Sequence, residues 1–174
     1  EELHNRGIDV LVLDHHEAEK YSEYACVINN QMCDYPTKAL SGAGVVYKFC
    51  CYMDELLGIS YADDYVDLAT TGIIADVMPL KAFEIRQIIL KGMQGFRNPL
   101  LKAMVAKDKF HFEGKQLTPF NIAWYIAPYI NAITRSATEQ EKLVVFESMI
   151  EYLAYKTIPS TKRGCKGQNE TRVE

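Results

Sequence analysis

The sequence predicts an α/β protein in which helices far outnumber strands, and three observations support this. Residues 8–13 (IDVLVL) are a short, β-branched apolar run after a glycine, which is typical of a strand buried on both faces of a parallel sheet. Residues 25–29 (ACVIN) form a second candidate strand. Most of the remaining chain consists of apolar runs between helix-capping signals, so helices should dominate the fold.

The helices of the first half are predicted from the residues that begin and end them. Ser41, followed by small residues, begins a helix that Gly58 ends. The aspartate pair at residues 63–64 begins the next helix, which leaves Asp76 just beyond its end. In chain order, these helices are expected over residues 1–7 (the end of a helix), 42–57, 63–75 and 81–94.

Two more helices are predicted in the second half. Pro119 suits the first turn of a helix that begins at Thr118, and Pro128 should end or kink that helix. Thr138 and Glu141 form the sequence signature of a capping box, which predicts a last helix up to about Lys156.

Composition excludes several classes of protein. Of the 174 residues, 48% are hydrophobic and 24% charged, which excludes a disordered or collagen-like chain. No stretch of about 18 apolar residues occurs, so we expect no membrane-spanning helix. The five cysteines include no CxxC pair, which argues against a disulfide framework and for a reducing, cytoplasmic location. The net charge of −4 neither predicts nor excludes a nucleic-acid partner.

The first candidate for chemistry is the triplet Asp14-His15-His16, which follows the first predicted strand. Open α/β sheets bind ligands beyond the carboxyl ends of their strands. Adjacent histidines there would point in different directions, so that one can bind a metal while the other faces a phosphate. Asp14 could orient an imidazole. The alternative is a polar loop with two surface histidines.

Two further candidates carry weaker signals. Asp76 follows an apolar run, where a carboxylate is costly to bury without a partner, although a solvent-exposed aspartate is the simpler interpretation. The small residues Gly42, Ala43 and Gly44 could let a phosphate approach the start of a helix. They match neither the dinucleotide fingerprint nor the P-loop, so a plain helix start is the alternative.

The second half contains two candidate contacts for phosphate. Arg135 lies one helical turn beyond Asn131 and could bind a phosphate, although a helix-terminal cap beside a solvated charge is more common. The C-terminal tail is locally basic, which suits either a nucleic-acid backbone or a solvated linker. Its basic residues are Lys156, Lys162, Arg163, Lys166 and Arg172.

Four segments together resemble the DHH phosphoesterase superfamily, and in particular its RecJ-type exonucleases specific for single-stranded DNA. They are VLVLDHHE, SGAGVVYKF, DLATTGIIADVMPL and INAITR, and they occur in the order typical of that family. The resemblance spans nearly the whole chain. It implies that the fold is the helix-rich later portion of a DHH-type parallel-sheet domain.

The resemblance also implies roles for individual residues. His15 and Asp76 would bind a catalytic Mn²⁺ or Mg²⁺, His16 would contact the scissile phosphate, and Asp14 would support the two histidines. Phosphates of the bound strand would be held by Asn131 and Arg135, in a cleft lined by Gly42, Ala43 and Gly44. The implied chemistry is hydrolysis of a phosphodiester by metal-activated water, and a histidine ligand favours manganese.

One feature of the family is missing. Its members carry an Asp-x-Asp motif upstream of the DHH motif, and no Asp-x-Asp occurs in these 174 residues. We therefore expect residues 1–158 to be part of a catalytic domain and residues 159–174 to be a basic linker towards a second domain. Such an incomplete core, cut from a larger protein, should be inactive or nearly inactive alone.

The expected partner is single-stranded DNA, in DNA repair or recombination, with no membrane partner and no protein partner indicated. Two alternatives remain at this point. One is a DHH phosphoesterase for small substrates such as pyrophosphate, cyclic dinucleotides or short RNAs. The other is a non-catalytic fragment that binds nucleic acid or protein.

Overall fold

A computed structural model describes all residues of the chain, 1–174. The strands are β1 (Leu11–Asp14), β2 (Cys26–Asn29), β3 (Thr157–Pro159) and β4 (Asn169–Thr171). The helices are α1 (Glu2–Asn5), α2 (Gly42–Leu57), α3 (Val66–Ala75), α4 (Phe83–Gly92), α5 (Pro99–Lys107), α6 (Lys109–Phe112), α7 (Pro119–Tyr125), α8 (Ala127–Ser136), α9 (Glu139–Ser148) and α10 (Glu151–Ala154). None of these helices combines the length and the apolar character needed to span a membrane.

The chain forms two compact units. The first unit is Glu1–Gly92 and contains β1, β2 and α1 to α4, whereas the second unit is Met93–Glu174 and contains the remaining elements. The first unit has 7 Lys and Arg against 15 Asp and Glu, a net charge of −8. The second unit has 12 against 8, a net charge of +4. The mild acidity of the whole chain therefore conceals two regions of opposite charge.

The two predicted strands form a parallel pair, as expected. β1 and β2 pair in a register that places Leu11 opposite Cys26 and Asp14 opposite Asn29. The predicted burial of β1 on both faces is wrong, because Leu11 and Val12 are exposed. The sheet has only these two strands, and α2 is the helix that packs against β1. An apolar run therefore identifies a strand here without specifying how much of it is covered.

The predicted limits of α2 are confirmed. The hydroxyl of Ser41 accepts a hydrogen bond from the backbone N–H of Gly44, and Gly58 ends the helix with a left-handed φ of 65°. The next helix differs slightly from the prediction, because a 3-10 turn over Ala62–Tyr65 precedes α3. The carboxylate of Asp54 accepts the backbone N–H groups of Tyr61 and Ala62 at 2.7 and 2.6 Å, which holds this tighter turn in place.

Two glycines let α2, α3 and α4 pack closely. A Cβ atom added at Gly72 of α3 would lie 2.5 Å from the Cβ of Ala43 in α2. A Cβ at Gly92 of α4 would lie 2.7 Å from the Cβ of Thr70 and 2.9 Å from the carbonyl oxygen of Val66. Real side chains do not approach so closely, so both positions require glycine. The core of the first unit is built on this close approach.

The second unit differs more from the predictions. The capping box at Thr138 and Glu141 is confirmed, but α9 ends at Ser148 and the short α10 follows. The predicted break near Pro128 is present, because α7 ends at Tyr125, but Pro128 itself lies in the first turn of α8, where proline is tolerated. The helices α5 and α6 were not predicted, because neither shows a long apolar period in the sequence.

Residues 159–174, expected to be a linker, contain regular structure. β3 and β4 pair in antiparallel orientation, with Ile158 opposite Glu170. Lys162 lies 2.5 Å from the carboxylate of Glu170, and Arg172 lies 2.5 Å from the carboxylate of Glu147. Part of the positive charge of this tail is therefore paired within the second unit.

Candidate metal centre

The predicted triplet lies where β1 ends, in the first unit. Asp14 is the last residue of β1, and His15 and His16 follow it directly. The side chain of His15 is 15% exposed and that of His16 is 75% exposed. The two rings lie side by side, with centroids 4.3 Å apart and planes tilted by 46°. Their ring nitrogens nevertheless face different partners, as expected, because Nε2 of His15 lies beside Asp76 and Nδ1 of His16 lies beside Asp14.

The central feature of the site is the convergence of His15 and Asp76. Asp76 is the C-cap of α3, far from β1 in the sequence. The structure places the Oδ2 atom of Asp76 3.3 Å from the Nε2 atom of His15. An imidazole and a carboxylate from the end of a strand and the end of a helix thus face each other at one point.

Asp14 holds the histidines from the protein side. Its Oδ1 atom accepts the backbone N–H of His15 at 2.8 Å and lies 2.7 Å from Nδ1 of the His16 ring. These two hydrogen bonds hold the pKa of the Asp14 carboxyl below its usual range, and the bond with the His16 ring has the larger effect. Asp14 therefore orients the exposed imidazole and stays ionised while doing so.

The start of α2 lies beside the same histidine. A Cβ atom added at Gly42 would lie 3.5 Å from Cδ2 of His15, so the backbone here approaches the ring closely. Gly44 is close to Leu40, where a Cβ would lie 3.0 Å from Cδ2 of that side chain. Packing against Leu40 therefore explains the glycine at position 44. Packing against Gly72 explains the small side chain of Ala43. A phosphate contact for these three residues stays a prediction.

Sequence reasoning missed two residues that shape the site. Asn29 is buried at the end of β2, and its amide donates a hydrogen bond to the carbonyl oxygen of His16 at 2.8 Å. Its position at the end of the neighbouring strand was the available signal. Val77, directly after Asp76, has a left-handed φ of 54°. Because such a φ is unusual for a β-branched residue, the backbone beside Asp76 is strained.

A Schellman motif explains this strained conformation. The backbone N–H of Val77 donates to the carbonyl of Ile74, and that of Met78 donates to the carbonyl of Ile73, each at 3.1 Å. Glycine usually occupies the left-handed position of this motif. Because residue 77 is valine and not glycine, the sequence contains no signal for the turn that orients Asp76.

The donor atoms of His15 and Asp76 fit a divalent cation. Two ligands in adjacent corners of an octahedron, each about 2.1 Å from the ion, lie about 3 Å apart. The observed separation of Nε2 and Oδ2 is 3.3 Å. Imidazole nitrogen and carboxylate oxygen suit manganese or magnesium. The structure contains no group of three or more His, Cys, Asp or Glu residues arranged to hold a metal.

Asn131 and Arg135 belong to the second unit. Both lie on α8, where Arg135 is exposed and Asn131 is partly buried. The hydroxyl of Thr134 donates to the carbonyl oxygen of Asn131 at 3.1 Å. The geometry of the first unit does not involve them, so their contact with phosphate stays a prediction.

Comparison with known proteins supports the resemblance that the motifs indicate. Residues 1–73 match the model of the DHH family, N-terminal domain. The chain is 37% identical over 174 residues to YorK of Bacillus subtilis (strain 168), an SPbeta prophage-derived protein named for single-strand DNA-specific exonuclease activity. It is 29% identical over 143 residues to the single-stranded-DNA-specific exonuclease RecJ of Thermus thermophilus. The alignments cover 99% and 82% of this chain, but only 29% and 21% of those relatives.

Solved structures of RecJ resemble the fold. The crystal structure of exonuclease RecJ bound to manganese matches with a TM-score of 0.66 and 28% identity, over 82% of this chain and 36% of that one. RecJ from Thermus thermophilus in complex with Mn²⁺ matches with a TM-score of 0.70 and 29% identity, over 82% of this chain and 22% of that one. The predicted resemblance is therefore confirmed: residues 1–73 match the N-terminal domain of the DHH family, and the chain as a whole is similar to the exonuclease RecJ.

Proposed function

We propose that this chain is part of the catalytic core of a metal-dependent phosphodiesterase that degrades single-stranded DNA. The observation that carries the proposal is the 3.3 Å approach of His15 Nε2 to Asp76 Oδ2 at the carboxyl end of a parallel strand. In this proposal both residues bind Mn²⁺ or Mg²⁺. The similarity to RecJ, whose structures were solved with manganese, supports this choice of cation.

The cation would also offset the negative charge of the first unit. The first unit carries a net charge of −8, which repels a polyanionic strand. When bound, the divalent ion would neutralise part of this charge and supply a water molecule acidified by the metal. A strand should therefore approach the site much more readily when the cation is present.

The exposed histidine would act on the substrate. His16 presents its ring to solvent, while Asp14 fixes one ring nitrogen and Asn29 fixes the backbone carbonyl. Nδ1 then donates to Asp14, and when the ring carries both protons Nε2 can donate to a phosphate oxygen in a set direction. DNA repair or recombination, where single strands arise, is the setting in which such a nuclease would work.

Two ligands alone make a weak metal site. We therefore expect the 174-residue chain to bind Mn²⁺ weakly and to be inactive or nearly inactive by itself. Mn²⁺-dependent digestion of single-stranded DNA by this chain would contradict that expectation. If activity is found, release of nucleotides from long single strands should exceed hydrolysis of dinucleotides, since the reverse ranking would indicate a phosphoesterase for small substrates.

The decisive experiment measures metal binding and does not depend on activity. We expect His15→Ala and Asp76→Ala each to lower Mn²⁺ affinity by at least about tenfold, because each removes one of two donor atoms. Loss of the free Mn²⁺ signal in electron paramagnetic resonance measures the binding. His4→Ala, which removes an exposed histidine from α1, is the matched control and should bind normally. Unchanged affinity in both site variants would refute the proposed metal centre.

A further inference from the structure

The second unit exposes several large aromatic side chains close together. Phe110 in α6 is 81% exposed, and Phe120 and Trp124 in α7 are 57% and 65% exposed. Isolated exposed aromatics are common on protein surfaces, but a cluster marks an interaction site. The function proposed for the first unit does not use these residues.

Ring contacts join these side chains into one continuous row. Trp124 lies 5.9 Å from Phe120, Phe120 lies 6.1 Å from Tyr125, and Tyr125 stacks on His111 at 3.7 Å, all between ring centroids. His111 then contacts Phe110 edge to face at 4.8 Å. We call these five residues the aromatic row.

Local hydrogen bonds fix the row in place. The Nδ1 atom of His111 lies 2.8 and 2.9 Å from the two carboxylate oxygens of Asp108, which also caps α6. A capping box between Thr118 and Asn121 fixes the start of α7. Phe120 and Trp124 are four residues apart and therefore share one face of that helix. The ring of His111 and the start of the helix that carries Phe120 and Trp124 are thus fixed by these contacts.

The charge around the row favours an anionic partner. The ammonium group of Lys115 lies 5.4 Å from the ring centroid of Phe110, at one end of the row. From Gly114 to Thr138 the chain contains no acidic residue. The carboxylate of Asp108 is hydrogen-bonded to the ring of His111, and the second unit as a whole has a net charge of +4.

We propose that the aromatic row is a platform on which the bases of a single-stranded nucleic acid stack. Exposed rings beside cationic side chains are how proteins bind single strands without reading sequence, since every base offers a flat face for stacking. A duplex hides these faces, so it should bind poorly. The inference rests on the proposed function, because it assigns part of the binding of the same substrate to the second unit.

Trp124 makes the test direct, because it is the only tryptophan in the chain. Oligo(dT) should quench its fluorescence when titrated into the full chain in EDTA, where hydrolysis cannot occur. Fluorescence anisotropy of labelled oligo(dT) measures binding independently. Phe120→Ala and Trp124→Ala should each weaken binding about tenfold, because loss of one stacking ring has an effect of that size.

Two kinds of variant control this experiment. Phe83→Ala removes an even more exposed ring from the first unit and should bind oligo(dT) as the unaltered chain does. Phe120→Tyr and Trp124→Phe keep a ring at each position and should restore most of the affinity lost in the alanine variants. Circular dichroism of each alanine variant shows that its fold is retained.

The possible failures are distinguishable. If the unaltered chain binds no oligo(dT), both the platform and the proposed substrate are contradicted. If it binds, but Phe120→Ala and Trp124→Ala bind equally well, only the platform is refuted. If those variants instead abolish self-association in sedimentation and leave oligo(dT) binding unchanged, the row is a contact between copies of this chain.

Discussion

The two units of this chain differ in their net charge and in the exposure of their candidate binding residues. The first unit is acidic and places a partly enclosed histidine against a carboxylate, whereas the second is basic and leaves three rings of the aromatic row exposed to solvent. Individual glycines illustrate this difference. Gly72 and Gly92 permit close helix contacts, but Gly114 lies in a turn with no neighbouring atom within 4 Å of an added Cβ. A site for a small ion needs closely packed elements, while a surface for a polymer needs exposure and charge.

The largest effect should come from disturbing the packing of the first unit. Gly92→Ala forces a methyl group against Thr70 and the backbone of Val66, and we expect it to lower the free energy of unfolding by about 3 kcal/mol. Gly114→Ala, with a φ of 68° and open space, should cost only about 1 kcal/mol. Urea denaturation followed by circular dichroism measures both. Equal losses would show that the close contact at Gly92 costs no more than the left-handed conformation at Gly114.

A smaller effect should be a difference between the two units in how acid changes the free energy of unfolding. Partial burial opposes ionisation of Glu84 in α4, but hydrogen bonds from Tyr35 and Lys48 among others outweigh it, so the pKa of this carboxyl is lowered. Since the pKa is lower in the folded state, Glu84 stabilises the fold above its unfolded pKa of about 4.3, and this contribution is lost as pH falls through the folded value. Glu84→Gln should therefore make stability less dependent on pH below about 4.5 and cost about 1.5 kcal/mol at neutral pH.

Glu141 in the second unit is the comparison for this prediction. The backbone N–H of Thr138, followed by its hydroxyl, lowers the pKa of Glu141, but that carboxylate is exposed to solvent. Glu141→Gln should therefore change the acid response less than Glu84→Gln does. Urea denaturation between pH 3 and 7 (a range chosen to span about 4.3, the unfolded pKa) makes the comparison. A larger change in Glu141→Gln would place the main acid-sensitive contact in the second unit.

The smallest effect should be a gain in stability beside the site. Val77 is exposed and holds a left-handed conformation that glycine adopts freely. Val77→Gly should therefore raise the free energy of unfolding by about 1 kcal/mol, and it should leave Mn²⁺ affinity within twofold, because the Schellman motif is kept. Thermal denaturation and the Mn²⁺ titration check the two outcomes. A loss of stability would mean that the contacts of the valine side chain outweigh the strain.

Local sequence signals predicted individual elements of the fold, but they did not predict the contact at the centre of the candidate site. Local signals were sufficient for the strand before His15 and for the limits of α2, because capping and apolar runs act over a few residues. The proximity of His15 and Asp76 is a long-range contact that no spacing reveals, and only the resemblance to a family pointed to it. Val77 was missed because its conformation is imposed by the end of α3 and contradicts the preference of the residue itself.

The second unit was harder to predict for a related reason. Its helices α5, α6 and α10 are short, so each presents too few apolar positions to establish a helical period. Pro128 has two interpretations, as the end of one helix or the start of the next, and only packing decides between them. The aromatic row could not be predicted from the sequence, because contacts between α6 and α7 bring its rings together.

The position of Asp76 at the end of α3 limits how the chain can change in length. Each residue of an α-helix turns the chain by about 100° and advances it by about 1.5 Å. One residue inserted into or deleted from Val66–Ala75 would therefore turn the carboxylate away from His15, even with both side chains intact. Related proteins that keep this pair should vary in length within loops, such as residues 30–40, and keep ten residues in this helix.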